Sequence, residues 1–128
     1  MSKKATLAEI IAKKKQGKMD KFQVKYYDSE VLGMKVEIRK IPLEQYLSLV
    51  EGVEENTVES MNKLIYECCP MFHDKEYIKE AMELYGVSVP TDLPSKVFEE
   101  QLDELKAIVE IINSFYGVDK LSDTVKNS

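Results

Sequence analysis

The last third of the chain carries a long apolar pattern that constrains the fold more than any other feature. Its large apolar side chains recur at steps of 4, 3, 4, 3 and 4 residues, at Phe98, Leu102, Leu105, Val109, Ile112 and Tyr116. This spacing predicts a seam-forming helix from residue 94 or 95 to residue 116, which Gly117 ends. A second row widens the apolar face, at Val97, Ile108, Ile111 and Phe115. The helix is therefore either the centre of the core or a docking surface.

Two short segments alternate apolar and polar side chains, at residues 22–27 and 34–40. Alternation with a period of two is typical of half-buried strands. Between them, residues 28–30 and Gly33 supply turn residues, so the pair is predicted to form an antiparallel hairpin. Because an isolated hairpin is unstable in water, it must pack on helices.

Helical spacing and stop signals predict four further helices. A short one opens at Thr6 with Glu9 three residues later, a capping-box pattern, and is expected to order only against a partner. The others cover residues 43–51 after Pro42, residues 56–69, and a segment from Asp74 as N-cap to Gly86. In the helix that follows Pro42, one apolar face is predicted to contain Leu43, Tyr46, Leu47 and Val50.

These elements predict an α+β, mainly α fold, with one antiparallel β-hairpin packed against a bundle of about four helices. We divide the chain into a basic N-terminal arm or short helix (residues 1–20), a single core domain (21–117) and a flexible C-terminal tail (118–128). The 128 residues are 44% hydrophobic and 32% charged, a composition typical of one globular domain.

Charge is divided unevenly along the chain. Residues 1–25 contain eight lysines and two acidic residues, a net charge of +6, whereas the rest contains ten basic and twenty-one acidic residues, a net charge of −11. An acidic body repels phosphate backbones, so nucleic-acid binding by the core domain is not expected.

Apolar runs are far shorter than the roughly 20 residues needed to span a bilayer, which predicts no membrane segment. Adjacent cysteines and the lack of a signal-peptide pattern favour an intracellular protein.

Candidate catalytic and metal-binding groups are few. Cys68, Cys69, His73 and Asp74 lie close in sequence, but structural zinc sites take ligands from separated pairs, so no metal is predicted. Thiol catalysis is not expected either, because acidic residues surround the two cysteines in sequence. The carboxylates at Glu99, Glu100, Asp103 and Glu104 are interpreted as a solvated helix face. No glycine-rich phosphate loop is present. We predict a protein that is not an enzyme and takes no cofactor.

The order of several short motifs carries a family resemblance. The run SEVLGMKVEIRKIPL (residues 29–43) is followed by LIYECCP (64–70), DKE (74–76), LYGV (84–87) and PTD (90–92). This order resembles PBSX-type phage tail assembly chaperones, in which a glycine hairpin leads to an alternating strand, a basic pair and an apolar-Pro-Leu helix start. The resemblance covers residues 27–116 and includes no catalytic motif.

The resemblance implies a non-enzymatic factor in the bacterial host cytoplasm. Its client would be the tape measure protein, a long helical, apolar-rich chain, which it keeps soluble until tail tube subunits polymerise around it. In this family a longer, frameshifted form commonly recruits the tube subunits, and we interpret this chain, with its short polar end, as the short form. A small helical phage regulatory or protein-interaction module of unrelated role is the alternative.

The wide face of the last predicted helix suggests where a client would bind. Its central residues, Leu105, Val109 and Ile112, are the candidate partner contacts. The competing interpretation is that all three belong to the core of the domain. The oligomeric state and the role of the basic arm stay open at this point.

Overall fold

A computed structural model describes residues 4–51 and 57–118 of the chain. Its regular elements are, in order, α1 (Leu7–Lys15), β1 (Val24–Ser29), β2 (Met34–Arg39), α2 (Leu43–Val50), α3 (Val58–Cys68), α4 (Ile78–Tyr85), α5 (Leu93–Val97) and α6 (Leu102–Ser114). Short 3₁₀ turns lie at Asp20–Phe22, Pro70–His73 and Pro90–Asp92. The predicted α+β, mainly α fold with one antiparallel hairpin is confirmed. The predicted tail lies outside the described residues from position 119 onwards.

The two strands pair antiparallel from Val24 opposite Arg39 to Ser29 opposite Met34. Gly33, with a φ of +63°, closes the turn, and its N–H donates to the Ser29 carbonyl at 2.9 Å. Phe22, predicted as a strand residue, instead ends a 3₁₀ turn, because its N–H donates to the Met19 carbonyl. The first strand therefore starts two residues later than predicted and extends to the buried Ser29.

Helices α3 and α6 form the centre of the core, and the hairpin packs on α6. Both predicted apolar rows contribute, because Ile108 and Phe115 of the second row are buried like Leu105, Val109 and Ile112 of the first. Leu102, which the first row includes, is instead 50% exposed. The buried side chains from the hairpin and α3 are Val36, Ile38, Met61, Leu64, Ile65 and Cys68. Enclosing this many large apolar side chains supplies the main stabilisation of the domain.

The continuous last helix predicted from residue 94 to 116 is wrong, because the chain breaks it into α5 and α6. Glu99 and Glu100 both adopt left-handed backbone, with φ of 54° and 56°. The Glu99 N–H donates to the Lys96 carbonyl at 3.0 Å, and the Glu100 N–H donates to the Ser95 carbonyl at 2.8 Å. This bond pair is a Schellman motif, which normally uses glycine in the left-handed position. Phe98 remains buried at the junction, so the apolar spacing continues across the break.

The break lets α5 pack against α3 through a pair of buried polar groups. The Ser95 N–H donates to Asn62 Oδ1 at 2.7 Å, and Asn62 Nδ2 donates to Ser95 Oγ at 3.1 Å. Both side chains are buried, so each satisfies the polar groups of the other.

The predicted helix ends are partly confirmed. Thr6 caps α1, since its Oγ1 accepts from the Glu9 N–H at 3.2 Å, and Gly86 ends α4 with a φ of +69°. The Asp74 carboxylate accepts from the backbone N–H groups of Glu76 and Tyr77, but residues 75–77 form a turn and α4 begins only at Ile78. The sequence therefore locates these helices correctly and misplaces the start of α4.

Candidate interaction surfaces

The two cysteines lie in the core and make no reactive site. Both are fully buried, and burial raises the pKa of the Cys68 thiol to about 12 and raises that of Cys69 as well. His73 is exposed, and its Nε2 lies 2.8 Å from the Tyr66 carbonyl oxygen. Within residues 4–51 and 57–118, no group of three His, Cys, Asp or Glu side chains is placed to hold a metal ion. These thiols therefore act as small apolar side chains.

Glu104 departs from the predicted solvated carboxylate face. Its side chain is buried and accepts hydrogen bonds from the Tyr27 hydroxyl and, at 2.5 Å, from the Ser29 hydroxyl. Ser29 Oγ also accepts from the Leu32 N–H at 3.1 Å. The interpretation of Glu104 as a solvent-facing residue is wrong, because the end of the hairpin covers the first turn of α6.

The hydrogen bonds keep this buried carboxylate ionised. Burial alone raises the pKa of a carboxyl group, but bonds from Ser29, Tyr27 and the backbone N–H groups of Val31 and Glu30 lower the pKa of Glu104 below its ordinary value. Burial and the neighbouring carboxylate together raise the pKa of Tyr27. Since these groups bond to one another across the two elements, we assign the cluster a structural role, fixing the hairpin to α6.

The residues predicted to contact a partner, Leu105, Val109 and Ile112, all lie inside the domain. Each is less than a tenth exposed, and each belongs to the central core cluster. Their burial agrees with the competing interpretation given above, that the wide face of this helix is core. While the domain keeps this fold, they are not accessible to a client, so any docking surface lies elsewhere.

Helix α2 presents an exposed apolar seam. Leu43 is 55% exposed, Leu47 is 48% exposed, and Val50 beside them is half-buried. The three residues step by 4 and then 3, the spacing of a coiled-coil seam. We call them the α2 seam. Glu44, beside the seam, is exposed, and α2 contains no basic residue, so the seam lies on an acidic helix.

The opposite side of α2 is fixed to the core. The Tyr46 ring stacks on the Tyr116 ring at 3.9 Å between centroids, and the Tyr46 hydroxyl donates to Asn113 Oδ1 at 2.6 Å. Tyr116 in turn donates to the Ile41 carbonyl at 2.7 Å, just before α2 starts. The predicted single face of Leu43, Tyr46, Leu47 and Val50 is thus divided. Residues 46 and 47 point about 100° apart on a helix, a sequence signal that separates anchor from seam.

Two other helices expose apolar side chains together with charge. In α1 no side chain is buried, and Leu7 (77% exposed), Ile10 and Ile11 share a face next to Lys13, Lys14 and Lys15. Beside α4, Leu84 (80% exposed) and the exposed Tyr77 flank Glu76, Glu80 and Glu83. We call these the arm face and the α4 face.

One shallow groove lies between the start of α3 and the turn at Pro90–Asp92, with a volume of about 450 Å³. Its lining mixes apolar Val58 and Val89 with charged Glu59 and Lys63, which pair with each other at 3.1 Å. Asp92 is the third charged residue of the lining, on the opposite side of the groove from α3. Among the helices of the described segments, none has the length and apolar character needed to cross a bilayer.

No protein-family model, curated protein or solved structure matches the chain. Function is therefore inferred from the surfaces of the molecule itself and from the order of its sequence motifs.

Proposed function

We propose that the protein is a non-enzymatic phage tail assembly chaperone. It binds the tape measure protein in the bacterial host cytoplasm, keeps it soluble and promotes polymerisation of tail tube subunits around it. The motif order of residues 27–116 supports the family. The structural observation that carries the proposal is the α2 seam, an exposed coiled-coil spacing on an acidic helix.

The seam matches the chemistry of such a client. A long helical chain that lacks its partners exposes apolar seams, which aggregate unless another apolar surface covers them. Leu43 and Leu47 offer exposed side chains one turn apart, at a spacing that packs between those of a facing helix, while Val50 at the end of the seam packs partly against the core. The net charge of −11 on residues 26–128 keeps a complex of client and chaperone soluble through mutual repulsion.

The size of the seam sets the stoichiometry of binding. Eight residues of helix are about 12 Å long, so one copy covers only about two turns of a client helix. A client of many heptads therefore binds many copies in a row. Rigid attachment of α2 favours such binding, because Tyr46 and the Gln45–Glu67 hydrogen bond of 3.1 Å hold the helix in place before the client arrives.

Co-expression with a fragment of the tape measure protein tests the proposal. We expect L43D/L47D to fold normally, because both side chains are exposed, and to lower the yield of soluble client at least about tenfold. L102D is the matched control, since Leu102 is 50% exposed on a different helix and its replacement is expected to leave the yield unchanged.

Circular dichroism and the melting temperature establish that each variant is folded. Retention of full solubilising activity by folded L43D/L47D would refute the assignment of the seam as the client surface. If the wild-type chain itself fails to solubilise the fragment, the chaperone proposal is wrong. The alternative, another helical protein-interaction module, is then favoured.

Recruitment of tail tube subunits is the second part of the proposal and rests on the family resemblance. The gene, expressed with its native downstream DNA, is expected to yield a minor longer product that shares most of this chain and continues in another reading frame. Mass spectrometry of the purified products detects it. That longer product, and not the shorter chain, should co-purify with tail tube subunits.

A further inference from the structure

Two helix faces with opposite charge present exposed apolar side chains within residues 4–51 and 57–118. Leu84 and Leu7 are the two most exposed large apolar side chains in the described parts of the chain, at 80% and 77%. One lies in the acidic α4 face and the other in the basic arm face. An exposed leucine is unremarkable when alone, but each of these belongs to a patch with further exposed apolar side chains.

A defined turn ends the helix that carries the arm face, and no residue of that helix is buried. The Gly17 N–H donates to the Lys14 carbonyl at 3.1 Å, and the Lys18 N–H donates to the Lys13 carbonyl at 3.1 Å. Gly17 has a φ of +74°, as a Schellman motif at the end of α1 requires. The Asp20 N–H then donates to the Gly17 carbonyl, which continues the turn towards β1. The arm is thus a regular helix with a defined end, and its apolar face is exposed to solvent.

The α4 face complements the arm in charge, chemistry and length. Glu80 and Leu84 lie one turn apart on the same side of α4, and Glu76 and Glu83 flank them. The exposed Lys75 and Lys79 lie on the same segment, so residues 74–85, with four acidic and two basic residues, carry a net charge of −2. These three glutamates and the arm residues Lys13, Lys14 and Lys15 make no ion pair with any residue of the described segments. The two helices have nine and eight residues, or about 13 and 12 Å.

We propose that α1 of one copy docks on the α4 face of a second copy. Leu7, Ile10 and Ile11 then cover Leu84 and Tyr77, while the lysines of the arm face the glutamates of α4. A second copy is favoured over a membrane surface or a nucleic acid, because the −11 charge of the body repels phosphate and attracts the +6 arm. Reciprocal exchange of two arms would bury both faces in a closed dimer. The inference goes beyond the proposed function and needs no client.

Charge exchange between the two helices tests the contact. The mass of the purified chain is measured by light scattering from about 10 µM to about 1 mM protein, in about 50 mM and about 500 mM salt. The wild type is expected to dimerise in low salt. K13E/K14E/K15E and E76K/E80K/E83K are each expected to be folded monomers, and the chain carrying all six changes is expected to dimerise again. L84S is expected to weaken the dimer at least about tenfold.

Each result decides for or against the contact. A wild-type chain that stays monomeric at the highest concentration in low salt overturns the proposal, as does association that survives both charge reversals. Loss of the dimer in L43D/L47D with no effect of the α4 changes would place the contact on the α2 seam instead. Arm-dependent pelleting with vesicles of anionic phospholipid, without self-association, would identify a membrane as the partner. The experiment contains no client, so its failure leaves the chaperone proposal standing.

Discussion

Helices α1 and α6 both carry apolar stripes, yet they end in opposite environments. In α6 the central apolar residues are buried and the helix lies at the middle of the domain, whereas no side chain of α1 is buried. The pattern on α6 has two rows, which face α3 and the hairpin, while α1 has one narrow row. An apolar stripe thus shows that a helix has a face for a partner, and a wider stripe is more readily covered by several elements of the same domain.

Core substitutions in α6 are expected to give the largest effects. L105D, V109D and I112D each place a charge where no partner exists, which is expected to cost at least about 4 kcal/mol of unfolding free energy. Denaturant titration followed by circular dichroism measures this cost. The exposed control L102D is expected to lie within about 0.5 kcal/mol of the wild type. A stable, folded I112D would show that α6 is a surface helix after all.

The buried carboxylate of α6 gives the next largest effect. E104Q removes the charge that accepts from Tyr27 and Ser29, at an expected cost of about 2–3 kcal/mol. Because the folded-state pKa lies below the ordinary 4.5, the contribution of Glu104 is complete above pH 4.5 and is lost as the pH falls through the lowered value.

Unfolding curves at several pH values check this dependence. Stability of the wild type should drop below pH 4.5 more steeply than that of E104Q, and E110Q serves as an exposed control on the same helix. Parallel curves for the wild type and E104Q would contradict an ionised, hydrogen-bonded Glu104.

The turn between α5 and α6 provides a stabilising change. E99G replaces a side chain that holds left-handed backbone with the residue that adopts this conformation freely, so we expect a gain of about 0.5–1 kcal/mol. The same change inside a helix should have the opposite sign, and E83G in α4 is expected to cost about 1 kcal/mol. If E99G destabilises the domain, the helix break is not held in this conformation.

The smallest effect on folding is expected in the arm. L7D and I11D change exposed side chains of α1, so each is expected to alter the unfolding free energy by less than about 0.5 kcal/mol. Thermal unfolding of the dilute protein in high salt measures the monomer alone. A large loss of stability in L7D would mean that α1 packs on its own domain, and the contrast between α1 and α6 would disappear.

Local signals in the sequence were enough for much of this fold. Alternation identified the hairpin, Thr6 with Glu9 identified the start of α1, and Gly86 identified the end of α4. Each of these depends on a few neighbouring residues, so the sequence displays them directly.

Features that depend on distant contacts escaped prediction. The break at Glu99 and Glu100 uses residues that normally continue a helix, and it is stabilised by the packing of Ser95 on Asn62, 33 positions away. The burial of Glu104 depends on hydroxyl groups 75 and 77 positions earlier in the chain. Likewise, the division of α2 into an anchor and a seam requires Tyr116, which is distant from Tyr46 in sequence and stacks on its ring. The sequence could not show which apolar residues are open to a partner, because Leu105, Val109 and Ile112 are buried by contacts with distant parts of the chain.

The buried cysteine pair allows opening of the folded domain to be measured by chemical modification. An alkylating reagent needs a thiolate and a path to it, and in the folded domain Cys68 and Cys69 offer neither. Their modification rate should therefore follow the rate or the population of openings that separate α3 from α6, without any engineered probe. Because the two cysteines are consecutive, one peptide carries both, and its mass shows whether one or two thiols were modified. Single labelling indicates a partial opening, and double labelling indicates complete unfolding.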